Sequence, residues 1–126
     1  FKIKTNHSTL HRIKNALPYA KMLATASLAI VVAGDTQKGN PNPEQALNWV
    51  MDCSAATQNL LLAVQALGLG AVWTGVYPYQ DRIRVVSDIL GLPPHIIPLN
   101  VIPIGHPIKA GEPKEKWDTD KIIRVY

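Results

Sequence analysis

An α/β fold, in its α+β form, is what this sequence predicts, and three observations carry that prediction. Apolar, β-branched runs alternate with segments of helical period. Clusters of Gly, Pro, Asn and Asp punctuate the boundaries. The chain has 126 residues, 47% apolar and 17% charged, which suits one globular domain over residues 1–126 and argues against a disordered segment. Alternation alone does not decide between parallel and mixed strand pairing.

The elements follow in order. Phe1 to Thr5 alternates apolar with basic residues, a short strand signal. Asn6-His7-Ser8-Thr9 offers capping side chains, and Leu10, Ile13, Ala16 and Leu17 follow at helical spacing. Pro18 ends that helix, and Tyr19 to Ala26 suits a second short helical stretch. Ser27 to Ala33 is a continuous apolar run closed by Gly34-Asp35, which reads as a strand covered on both faces. Thr36 to Pro43 is a loop, expected to be mobile.

Glu44 to Leu67 contains no Gly or Pro, and Gly68 follows as a stop. As one helix of about 24 residues it would span roughly 36 Å. Its second half, Asn59 to Leu67, is apolar nearly all round and requires cover on most sides. A domain of this size struggles to supply that cover, which favours a second subunit. Leu69 to Trp73 reads as a second buried strand, with Thr74 to Pro78 as the turn leaving it. Tyr79 to Leu90 is an amphipathic helix with Ile83, Val86, Ile89 and Leu90 on its apolar face. His95 to Gly105 is a third strand region, and Pro98 and Pro103 argue for irregular ends or an edge position. Lys109 to Tyr126 is a polar tail.

Several chemistries find no support. No apolar run reaches the roughly 18 residues of a membrane span, and no secretory leader is evident. Phe1 in place of Met points to a processed, truncated or fragmentary chain. Net charge is +4, but the basic residues form no recognisable nucleic-acid module. Cys53 is the single cysteine, which excludes an intramolecular disulfide and fits a reduced, cytoplasmic setting. Mid-helix in an apolar setting, it reads as a small buried side chain rather than a nucleophile. The four histidines show no metal-ligand spacing; His7 and His11 share a helix face without a third ligand, so no metal site is expected. Gly68-Leu69-Gly70 follows a helix and precedes a strand, the reverse of a dinucleotide fingerprint, and serves as a helix stop and tight turn. Lys114 and Lys116 project the same way on extended backbone and suit a phosphate clamp or a solvated tail.

The order of segments adds a resemblance. Tyr19-Ala20-Lys21-Met22-Leu23 leads into Ala26 to Asp35, then Trp49 to Ala63, then Ala66-Leu67-Gly68-Leu69-Gly70-Ala71-Val72-Trp73-Thr74-Gly75. Leu92-Pro93, Ile102-Pro103-Ile104-Gly105-His106-Pro107 and Lys114-Glu115-Lys116-Trp117 complete the series. In combination it resembles the C-terminal two-thirds of the nitroreductase family. The resemblance implies a mixed sheet flanked by helices, with the long helix at a homodimer interface. It implies FMN in that interface, with hydride passing from NADH or NADPH through the flavin to nitroaromatics, quinones or similar small-molecule acceptors. Protein would then supply position and electrostatics for the cofactor's chemistry. Thr74 and Gly75 match the turn whose backbone approaches flavin N5. Val72 and Trp73 match the residues lining that face of the ring. Lys114 and Lys116 match the basic pair that holds the FMN phosphate. The family's Arg-rich N-terminal phosphate grip and its Asn- and Gln-bearing segment have no counterpart here. Two other readings stay open: a non-catalytic dimerising remnant without flavin, and a relative that uses flavin for dehalogenation or flavin destruction.

Overall fold

The computed structural model describes residues 1–38, 42, 45–109, 111–123 and 125. Its elements are β1 (Lys2–Lys4), α1 (His7–Ala16), a 3-10 turn (Lys21–Ala24), β2 (Leu28–Asp35), α2 (Asn48–Ala66), β3 (Gly70–Ala71), β4 (Thr74–Gly75), α3 (Gln80–Leu90), β5 (Ile96–Gly105) and a second 3-10 turn (Thr119–Lys121). The expected order of strands and helices is met. The five strands form one sheet in the order β1-β2-β5-β3, with β4 also paired to β5. Every pairing among the described residues is antiparallel.

Local chemistry explains the boundaries. Asn6 caps α1 as expected, its Oδ1 accepting from the N–H groups of Ser8 at 2.9 Å and Thr9 at 3.2 Å. Gly68 stops α2 in the left-handed region at φ 70°, which a β-carbon would disfavour. α2 begins at Asn48 rather than at the expected Glu44, because residues 45–47 form a turn; Glu44 itself and half of the 36–43 loop lie outside the described residues.

Strand periodicity divides the core into two layers. Ala29, Val31 and Val101 face α1 and α3 and pack with Leu10, Ile13, Val86 and Leu90. Leu28, Ile30, Ile102 and Ile104 face α2 and pack with Leu60, Leu61 and Val64. β2 is therefore covered on both faces, as its composition predicted. Full burial of each large apolar side chain contributes about 1.5–3 kcal/mol, and the first layer holds more of them.

Three further expectations change. β5 is not an edge strand: it lies between β2 on one side and β3 and β4 on the other. Its prolines sit where the ladders are already broken. Pro98 pairs with Ala33 just beyond a register shift, at which Leu99 is the extra residue. Pro103 faces the gap between β3 and β4. These short strands share one register, Ala71 opposite Ile104 and Thr74 opposite Val101, and would be continuous but for Val72 and Trp73. Pro103 has no N–H to offer there. The expected strand Leu69–Trp73 is thus reduced to Gly70–Ala71, half-buried rather than buried. Thr74 and Gly75, expected in a turn, belong to the sheet. One expectation holds: α2 is poorly covered by its own chain, with Thr57 and Val64 its buried residues, while Met51 and Leu62 are 65% and 60% exposed.

Candidate functional site

β4 places the predicted turn at the free side of the sheet. Val76 and Tyr77 both donate their N–H to the Leu99 carbonyl at 3.0 Å. Leu99 can serve both because it is the bulged residue of β5. In an antiparallel ladder, successive residues point their N–H and C=O groups to opposite sides. With Val76 and Thr74 turned toward β5, Gly75 is turned away from it. Its carbonyl confirms this by accepting from Arg82 Nη1 at 3.2 Å. Its N–H is left facing outward at the free edge of β4.

The space over this residue is open. A β-carbon on Gly75 would meet nothing within 4 Å. Beside it, Thr74 is buried, whereas Val72 and Trp73 are 42% and 38% exposed. Four of the six sequence-predicted site residues are therefore adjacent, and they combine an outward N–H, an unobstructed glycine and two partly exposed apolar side chains. Lys114 and Lys116 are exposed and lie in the C-terminal tail. Among the described residues, no hydrogen bond or ion pair links them to residues 72–75. The tail's hydrogen bonds and ion pairs are internal, such as Lys121 to Asp118 at 3.1 Å.

Two cavities lie nearby, and Thr74 and Gly75 line neither. One of about 250 Å³ is bounded by Gly70, Ala71 and Val72 with Met22, Thr25 and His106. The other, of about 900 Å³, lies around Trp49 and Tyr77 with Asp35, Asp52 and Cys53. Trp49 seats edge-on to Tyr77 with ring centroids 5.0 Å apart, and its indole lies directly on Gly34. The Cys53 thiol is pushed above its ordinary range by burial, reinforced by the Asp52 carboxylate. A raised thiol is a poor nucleophile at neutral pH, in keeping with its reading as a packing residue. It is half-buried rather than buried. His7 and His11 are both exposed, and the described residues contain no group of metal-binding side chains. No described helix is long and apolar enough to cross a membrane.

Sequence reasoning missed three residues around this site. Arg82 bonds the Gly75 carbonyl and lies 3.9 Å from the centroid of the Tyr79 ring. Asn100, the register partner of Gly75, is fully buried. Its Nδ2 donates to Thr57 Oγ1 at 3.0 Å, and Thr57 in turn donates to the Cys53 carbonyl at 2.7 Å. Asn100 was visible as the lone polar residue in the run Ile96 to Gly105; Thr57 and Arg82 carried no such signal.

Known proteins share this fold. Residues 2–106 match the model of the nitroreductase family. A protein of Methanothermobacter thermautotrophicus, provisionally named NADH dehydrogenase/NAD(P)H nitroreductase, is 41% identical over 97% of this chain and 62% of its own length. A crystal structure of a protein of the same provisional name from Parabacteroides distasonis superposes with a TM-score of 0.89 at 50% identity, covering 98% of this chain and 70% of that one. A more distant match is an FMN reductase (NADPH) of Bacillus subtilis, 28% identical over 60% of this chain and 29% of its own. The chain thus spans about three-fifths of the length of the first of these relatives. With residues 2–106 matching the family model and its fold superposing on the Parabacteroides distasonis structure, the chain belongs to the nitroreductase family.

Proposed function

We propose that the full-length protein is an FMN-dependent oxidoreductase, active as a cytoplasmic homodimer, that carries electrons from NADH or NADPH to nitroaromatic, quinone or similar small-molecule acceptors. The single observation behind this reading is Gly75: an outward N–H with open space where a side chain would stand. Among the described residues nothing requires a glycine there, since its φ is not in the left-handed region and no described neighbour crowds it. A flat ring approaching the strand edge would require one. The names of relatives, NAD(P)H nitroreductase and FMN reductase, supply the ring.

The residues present fit that group. FMN, when bound, supplies two-electron redox chemistry between a nicotinamide donor and an acceptor. Gly75 N–H would donate to a ring acceptor, for which flavin N5 is the natural candidate. Val72 and Trp73 would lie along the ring and exclude water. Lys114 and Lys116 would neutralise the phosphate as point charges, without the forked geometry of Arg. One domain over residues 1–126 carries all of these groups in this reading.

The test is the visible spectrum of the purified full-length protein. A flavin band, bleached by NADH or NADPH under anaerobic conditions, is expected. In Gly75→Ala, stability is expected to hold or rise by up to about 1 kcal/mol, because the backbone conformation and the space both accept a methyl group. FMN affinity is expected to fall by about ten-fold or more, equivalent to roughly 1.4 kcal/mol. A colourless protein that takes up no added FMN overturns the proposal, and supports a dimerising protein without flavin.

A further inference from the structure

The Arg82 side chain is held at both ends of its function. Its guanidinium lies 3.9 Å from the centroid of the Tyr79 ring, and Nη1 reaches back to the Gly75 carbonyl at 3.2 Å. Tyr79 and Arg82 are three residues apart at the start of α3, so one turn of helix brings cation and ring together. The peptide unit between Gly75 and Val76 is thereby fixed at both of its polar groups. Arg82 holds its C=O, and the Leu99 carbonyl holds its N–H. At the free edge of β4 the Gly75 carbonyl would otherwise face water.

Two consequences follow from this clamp. Arg82 thereby reinforces β5 in holding the peptide after Gly75, and the pairing of Thr74 with Val101 holds the peptide before it, so that the Gly75 N–H stays turned outward. In addition, a permanent positive charge is tied to the same residue that offers this donor. Half-burial of Arg82 weakens the screening of that charge by water.

We propose that Arg82, seated on Tyr79, is a positioning and tuning residue for the flavin: together with β5 it fixes the peptide beside the Gly75 N–H, and it supplies positive potential that favours the reduced, more negative ring. The proposal rests on the reading of this edge as the flavin site. Nothing in the reaction is routed through the Arg82 side chain itself.

The experiment compares the full-length protein with Arg82→Gln, Arg82→Lys and Tyr79→Leu. FMN affinity is measured by fluorescence titration, the bound flavin by its visible spectrum, and the midpoint potential by dye equilibration. Arg82→Gln is expected to weaken FMN binding by about ten-fold, the size of one charge-assisted hydrogen bond, to shift the flavin band and to lower the potential. Arg82→Lys is expected to keep the potential near the parent value while losing part of the affinity, because it retains charge without the planar fork. Tyr79→Leu is expected to fall between the parent and Arg82→Gln, since it leaves the guanidinium in place but unseated. It also carries the test should Arg82→Gln fail to fold. If the parent binds FMN and these variants match it in affinity, spectrum and potential, the role of Arg82 is refuted while the flavin site stands. If the parent itself binds no FMN, the flavin reading fails and this inference with it.

Discussion

Asn100 is the residue whose environment is most costly to disturb. It is fully buried, its Nδ2 is satisfied by Thr57, and its Oδ1 has no partner. Removing one member of a buried pair leaves the other unsatisfied, at about 1–3 kcal/mol, whereas removing the orphan itself is far cheaper. Thr57→Val strands the Asn100 amide entirely, with both of its ends then unmatched. Asn100→Val removes the unpaired oxygen and leaves the Thr57 hydroxyl still bonded to the Cys53 carbonyl. Although both side chains are fully buried, the expected outcome is unequal: Thr57→Val destabilises by about 1–3 kcal/mol and Asn100→Val by less. Urea denaturation of both variants measures this, and an equal or larger loss for Asn100→Val would sink it. Of the pair, the sequence displayed one half. A single Asn in an apolar run is conspicuous, but its partner lies 43 positions away and is a Thr on a helix of mixed character.

At the scale of elements, period and punctuation revealed most of the fold. The capped start of α1, the Gly68 stop of α2 and the two-faced burial of β2 all follow from local chemistry. Strand pairing did not, because proline was weighed alone. Pro98 and Pro103 argued for irregular ends or an edge; β5 is no edge, and each proline sits where it has no regular ladder to break, one at a bulge and one opposite a gap. That compensation is visible only once the neighbours are known. The same holds for the site: Val72 to Gly75 were legible as a segment, whereas the outward turn of the Gly75 N–H depends on the pairing of β4 with β5. The seating of α2 on β2 is likewise non-local. A methyl group on Gly34 would collide with the Trp49 indole. Gly34→Ala is therefore expected to destabilise by about 1–3 kcal/mol, the usual cost of overpacking. Combining it with Trp49→Leu should recover part of that loss, since the two residues share one contact and their effects are not additive. Thermal melts of the two single variants and the double variant decide the point; strict additivity would show that Trp49 does not rest on Gly34.

For the whole molecule, the unfinished surface is α2. Met51 and Leu62 are more than half exposed, and with Ala55, Asn59 and Ala66 they form one stripe along the helix. Neither core layer uses Met51 or Leu62. A stripe of this length, apolar but for Asn59, marks an interface more often than a monomer's surface. The open face over Gly75 makes the same demand, since a ring lying there has protein on one side only. One two-fold contact through α2 would meet both needs. Met51→Glu combined with Leu62→Glu places like charges on each copy's stripe and leaves both core layers intact. In size-exclusion chromatography the parent is expected to run as a dimer and the double variant as a monomer. Its far-UV circular dichroism should be unchanged, and its FMN should be lost. A control charge on the exposed Arg84 position of α3, Arg84→Glu, should leave the dimer intact. A double variant that remains dimeric would place the interface elsewhere, and one that is monomeric yet yellow would show that a single chain completes the site.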